Sequence, residues 1–137
     1  MLLVDDNRDG LAARKVVLEE QGLTVITAAN GEEALETFSK QKFDLLVTDF
    51  RMPKMSGIEL IRCVRPLDPQ LRVILLSGLV NALGLDERST GADVVIAKDD
   101  REIPQLLRSV SRLLIQKRPP GSQKSGRSKG KVKGQSA

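Results

Sequence analysis

Asp5, Asp6, Asp49, Ser77 and Lys98 are the residues in this sequence best placed to do chemistry, because each lies where a short apolar run gives out. Leu2-Leu3-Val4 runs into Asp5-Asp6, and Phe43 to Thr48 into Asp49. Arg72 to Leu76 runs into Ser77, and Val94 to Ala97 into Lys98. If these runs are parallel strands of one sheet, the polar ends gather at one edge. Carboxylates ~4 Å apart repel by about 4 kcal/mol per pair at an effective dielectric near 20. A positive group must accompany them, and the candidates are Lys98 and a hard divalent cation. Mg²⁺ suits such a site, because it binds through a few carboxylates or carbonyls and keeps several waters. Acids at strand ends can also serve as helix caps, but capping does not account for a Lys and a Ser at the same edge. Asp5 to Gly10 also matches the opening half of a calcium loop, yet Val16 stands where that motif needs Glu.

The elements that must hold these residues alternate strand and helix. The second apolar run is Thr24 to Ala28. Runs three to five are almost unbroken Val, Ile and Leu, as in parallel strands covered on both faces. Between them, Arg8 to Gln21 places Leu11, Val17 and Leu18 on one side, and Gly22 stops the helix. Glu32 to Lys40 spaces Ala34 and Phe38 four apart. Ser56 to Arg65 repeats Ile58, Ile61 and Val64 every three, with Ser56 as cap and Pro66 and Pro69 beyond the end. Cys63 on this helix reads as a packing residue rather than a reactive thiol. Asn81 to Thr90 is interrupted by Gly84 and has little periodicity. Ile103, Leu106, Leu107, Val110, Leu113 and Leu114 form a stripe, with Pro104 in the first turn. Five βα units predict an α/β fold, a doubly wound five-stranded parallel sheet with flanking helices. Such folds bind ligands at the edge formed by the strand C-termini.

Four segments together resemble the receiver domain of bacterial response regulators, a flavodoxin-like fold. They are Leu2-Leu3-Val4-Asp5-Asp6-Asn7, Leu46 to Gly57, Leu75-Leu76-Ser77-Gly78, and Ala97-Lys98. The Asp49-x-Arg51-Met52-Pro53-x-Met55-x-Gly57 segment is the most specific. The resemblance covers residues 1 to about 115. It implies that Asp49 is the phosphoacceptor, a carboxylate nucleophile attacking phosphorus. Asp6 and Asp49 would ligate Mg²⁺, with the Arg51 carbonyl as a third ligand and Asp5 acting through water. Ser77 would hydrogen-bond the phosphoryl group and Lys98 would pair with it. A histidine kinase or phosphotransfer protein would be the donor. The domain would catalyse only its own phosphorylation and dephosphorylation, and is not otherwise an enzyme. Pro53 and Gly57 would let the loop after the third strand wrap the site.

Two positions depart from the family's pattern. Receiver domains usually carry an aromatic residue three before the Lys and a Pro just after it; here these are Val95 and Asp99. Val95 has no ring to swing inward and is stiff at χ1. A cis Lys98–Asp99 peptide would cost about 3 kcal/mol, so it is expected to be trans. The departures leave an alternative, a receiver-like scaffold that binds partners with weak or no phosphotransfer. An aspartyl-phosphate phosphatase usually has a second Asp two residues after the nucleophile, where this chain has Arg51. No glycine-rich nucleotide loop is present.

Composition narrows the remaining classes. The chain contains no His, which removes His-based triads, His metal sites and a phosphohistidine of its own. It has no Trp or Tyr and three Phe, too few for base stacking on single-stranded nucleic acid. One cysteine, the absence of a basic leader before Leu2, and no apolar run near ~18 residues point to the cytoplasm without a membrane span. The net charge of +4 conceals a division. All acids lie at or before Glu102, whereas Lys117, Arg118, Lys124, Arg127, Lys129, Lys131 and Lys133 follow Gln116. The expected organisation is a receiver domain over 1–116 and a disordered basic tail over 117–137. The tail would suit an acidic partner such as nucleic acid, a membrane surface or an acidic protein. It is too short for an output domain, so the chain is read as a single-domain regulator acting through protein contacts.

Overall fold

The computed structural model describes residues 1–115. The basic tail expected from Lys117 onward lies outside the described residues. Five strands, β1 (Leu2–Val4), β2 (Ile26–Ala28), β3 (Leu45–Asp49), β4 (Arg72–Ser77) and β5 (Val94–Ala97), form one sheet. Their order is β2-β1-β3-β4-β5, and every pairing is parallel. The order reverses between β1 and β3, the switch point where a crevice opens beyond the strand ends.

Among the described residues, six helices connect and cover the strands: α1 (Arg8–Glu20), α2 (Gly31–Lys40), α3 (Gly57–Val64), α4 (Val80–Leu83), α5 (Glu87–Thr90) and α6 (Glu102–Ile115). Alternate strand residues point to opposite faces. Leu2, Val4, Leu46, Val73 and Leu75 pack with Ala34, Leu60, Ile61 and Val64 of α2 and α3. Leu3, Leu45, Val47, Ile74, Leu76 and Ile96 pack with Leu18 of α1 and Leu106, Val110 and Leu113 of α6. This two-sided burial is why the central strands are mostly apolar.

Local chemistry sets the helix starts. Asn7 caps α1 by accepting from Gly10 N at 2.8 Å, and Asn30 caps α2 through Glu33 N at 2.8 Å. Ser56 and Glu59 form a reciprocal capping box at α3, as the sequence predicts for Ser56. The expected helix over 81–90 is instead two single turns. Gly84 adopts φ +63° and ends α4, and Asp86 recaps the chain as α5. Neighbouring boundaries shift by a residue or two, as β2 begins at Ile26 rather than Thr24 and β3 runs to Asp49. Cys63 corrects the packing expectation, because it is exposed. The buried face of α3 is Gly57, Leu60, Ile61 and Val64, and Cys63 falls opposite that stripe.

Gly57 shows where backbone space is needed. A Cβ there would lie 2.3 Å from the Asp49 carbonyl oxygen and 2.8 Å from Leu75 Cδ1. Its N–H donates to Phe50 O at 2.8 Å, which pins the loop against the end of β3. Backbone cannot yield as a side chain would. Gly57→Ala should therefore destabilise the domain by about 2 kcal/mol or more, read as a lower denaturant midpoint. An unchanged midpoint would show that the loop can shift freely.

Candidate functional site

Register brings the strand-end residues into one row. Val4 pairs with Thr48, so Asp5 follows beside Asp49; Asp49 pairs with Leu76, and Ser77 with Ala97. Oxygens from Asp5, Asp6 and Asp49 all lie within 4.8 Å of one another. Asp5 and Asp49 are buried and Asp6 is exposed, so the cluster opens to solvent on one side. Beside it lies a depression of about 470 Å³ lined by Asp6, Phe50, Arg51, Met52, Pro53 and Ser56.

Lys98 provides the expected positive charge. Its Nζ lies 2.7 Å from Asp49 Oδ1 and 3.8 Å from Asp5 Oδ2. Asp49 Oδ1 also accepts from Phe50 N at 3.0 Å. Burial pushes the Asp49 carboxyl above its ordinary range. The hydrogen bond and charge of Lys98 oppose that rise, and the charge of Asp5 adds to it. Ser77 is buried at the end of β4, and its hydroxyl oxygen accepts from Leu79 N at 2.9 Å. Arg51 is exposed at the depression's rim. The set is all oxygen donors with one vicinal ammonium, which fits a hard divalent cation and not a soft one.

Two residues of this cluster escape a reading by motif. Arg14 Nη1 lies 2.6 Å from Asp5 Oδ2, and Arg14 Nε lies 2.5 Å from Glu102 Oε2. Arg14 and Glu102 are 8% and 9% exposed, so the pair is largely out of water. Burial alone lowers the Arg14 affinity for its proton, but the hydrogen bond and charge of Glu102, then Asp5, outweigh it and hold the guanidinium above its ordinary value. The available signal was positional. Arg14 is four before buried Leu18, and Glu102 four before buried Leu106, so opposite charges occupy two buried stripes.

Asp99, in the position where the family usually has Pro, lies in the turn that leads into α6. Its Oδ1 accepts from Arg101 N at 2.8 Å and its carbonyl from Glu102 N at 3.1 Å. Val95 is half-buried against the α2–α3 side of the core, and its N–H donates to Glu87 Oε2 at 3.1 Å.

Comparisons with known proteins agree with this architecture. The profile described as the response regulator receiver domain matches residues 1–110. The transcriptional regulatory protein CpxR of Escherichia coli K12 is 38% identical over 118 residues, covering 82% of this chain and 49% of CpxR. The response regulator receiver protein CpdR of Brucella abortus is 29% identical, covering 84% of this chain and 96% of CpdR. This chain therefore spans about half the length of CpxR but nearly all of CpdR. Among solved structures, the response regulator TrrA of Thermotoga maritima, in complex with Mg(2+)-BeF, superposes with a TM-score of 0.72 at 32% identity, covering 82% of this chain and 96% of TrrA. The receiver domain of Francisella response regulator 1452 gives 0.74 at 30% identity, covering 82% and 93%. A profile match over most of the chain, on a fold whose switch point carries the acidic cluster, leads to one conclusion: this chain belongs to the response regulator receiver domain family.

Proposed function

We propose that this chain is a single-domain response regulator that takes a phosphoryl group onto Asp49 in a Mg²⁺-dependent reaction. The carrying observation is the 2.7 Å contact of Lys98 with Asp49 inside the three-carboxylate cluster. Membership of the family supports phospho-accepting signalling in general. In the proposed step an Asp49 oxygen attacks phosphorus, and the bond from phosphorus to the donor breaks. With a histidine kinase or phosphotransfer protein as donor, that bond is phosphorus–nitrogen, and the imidazole leaves. Lys98 already touches the nucleophile and would follow the charge to the incoming phosphoryl oxygens. Ser77, whose oxygen accepts from Leu79 N, would donate its hydroxyl proton to the same group. Mg²⁺ would neutralise the charge that spreads over the equatorial oxygens.

Asp6 and Asp49, with the Arg51 carbonyl, would hold the metal. Asp5 has both oxygens engaged, Oδ1 by Asn7 N at 2.9 Å and Oδ2 by Arg14, which suits a role through water. Binding should be weak, because Mg²⁺ keeps much of its hydration. Asp6→Asn should weaken Mg²⁺ roughly tenfold or more, since even outer-shell changes cost that much. Unchanged affinity by calorimetric titration would place the metal elsewhere.

Incubation with Mg²⁺ and a small acyl phosphate tests the whole reading. Intact-mass analysis should show one labile phosphoryl group. No uptake would leave the alternative, a receiver-like scaffold. The downstream target would be another protein, met in the cytoplasm, where the single Cys63 stays reduced. The proposed boundary of the folded unit is residue 116, with 117–137 as a basic tail for an acidic partner. Among the described residues, no helix is long and apolar enough to cross a membrane.

The face that responds should be the Ser77 to Leu85 loop. α4 buries none of its residues and lacks a side-chain N-cap, so it has little local stability to lose. Ser77 is the first residue of that loop, and its hydroxyl oxygen holds Leu79 N. Amide exchange with and without a phosphoryl mimic should change most over Ser77 to Leu85. Changes centred on Val94 to Ala97 and the last helix, with that loop silent, would refute it.

A further inference from the structure

Asp5 continues the pleat of Leu3, whose face of the sheet is covered by α1 and α6. Its carboxylate therefore points between those two helices, and each presents one charged residue there. Arg14 spans the gap from Asp5 Oδ2 to Glu102 Oε2. Glu102 opens α6, and its N–H donates to Asp99 O, one residue after Lys98. Lys98 returns to Asp49 and Asp5. The groups form a closed ring that joins the acidic cluster to the start of α6.

Arg14 and Glu102 add one positive and one negative charge, so the ring does not change the net charge of the cluster. Stability does not explain the pair either, since apolar residues of similar volume usually serve a buried site as well or better. What the pair adds is a connection. Space for it is built into α1: a Cβ on Gly10 would sit 3.0 Å from Arg14 Nη1, so any larger residue would press on the guanidinium.

We propose that Arg14 is a positioning residue that holds the Asp5 carboxylate and carries occupancy of the acidic cluster to the N-terminus of α6. The proposal rests on the reading above that the cluster binds Mg²⁺. A divalent ion beside Asp5 competes with Arg14 for that carboxylate's charge. The guanidinium is a rigid planar fork, so a weaker hold at one end shifts the other. That other end is Glu102, and the first turn of α6 moves with it.

The test is an amide-shift titration of the isotope-labelled full chain with MgCl₂. Phe50 and Arg51 report the cluster, and Glu102 and Ile103 report α6. In the wild type both sets should shift and saturate at one midpoint. Arg14→Lys keeps the charge, but replaces the rigid fork, whose Nη1 and Nε reach the two carboxylates, with a point charge on a flexible stem. In that variant Phe50 and Arg51 should still titrate, while the Glu102 and Ile103 shifts fall roughly threefold or more. Should Arg14→Lys not fold, Arg14→Met/Glu102→Leu removes the whole bridge, leaves Lys98 as the cation beside Asp5, and should show the same loss. Wild-type shifts at Glu102 and Ile103 that persist in either variant would overturn the proposal. So would a wild type in which only Phe50 and Arg51 respond. If all four amides stay silent in the wild type, the Mg²⁺ reading falls, and the proposal with it.

Discussion

Asp49→Asn should abolish phosphoryl uptake and leave the fold intact, with thermal stability in the absence of metal equal to or above that of the wild type. The amide of Asn offers no nucleophilic oxygen of comparable strength, so intact mass should show no labile phosphoryl group under conditions that label the wild type. The stability half follows from electrostatics. The Asp49 carboxyl titrates above its ordinary value of 3.8, because burial disfavours the charge more than Lys98 offsets it. A raised carboxyl stabilises the fold fully below its unfolded value and loses that contribution as pH rises through its folded one. At neutral pH the ionised Asp49 is therefore a cost, and Asn removes it. The gap between variant and wild type should narrow as pH falls toward 3.8 and below, where Asp49 is also neutral. Uptake by Asp49→Asn at the wild-type rate would mean that another residue accepts the group. A variant less stable than the wild type at neutral pH would mean that the Lys98 contact outweighs the burial cost.

The second large effect is at Arg14. Arg14→Met leaves Asp5 and Glu102, 1% and 9% exposed, without their shared cation. Stranding buried carboxylates in this way costs about 3 kcal/mol or more. Most of that penalty is the cost of the charges left behind, not the worth of the pair. Adding Glu102→Leu should therefore recover much of the loss, because Leu would extend the apolar stripe of Leu106, Val110 and Leu113. Denaturant unfolding of both variants measures this. Equal destabilisation in the single and double variants would show that the Arg14 side chain matters through packing.

The order of elements and the strand-end residues are legible from the sequence because each depends on local pattern. A parallel strand covered on both faces is largely apolar, and charged residues appear where the strand leaves the sheet. Asp5, Asp49, Ser77 and Lys98 all occupy that position. The helices of clear periodicity, α1, α3 and α6, are found within a residue or two. Where the pattern is weak the reading is weak, as at α4 and α5, whose single turns depend on Gly84 and the Asp86 cap. Cys63 was misplaced because apolar neighbours in sequence do not share a face of a helix; residues three and four apart do.

The fold class, the sheet edge and the strand-end residues gathered there are legible in the chain, since all of these follow from the order of apolar runs and the polar residues that end them. How the cluster is wired is settled by packing. Arg14 and Glu102 are 88 residues apart, and nothing local marks them as partners. Each looks like a charge on an otherwise apolar helix face. Their meeting requires α1 and α6 to cover the same side of the sheet, and the pleat of β1 to turn Asp5 toward that side. Those are properties of packing, set by strand order and crossover hand, and they appear only when the chain is closed.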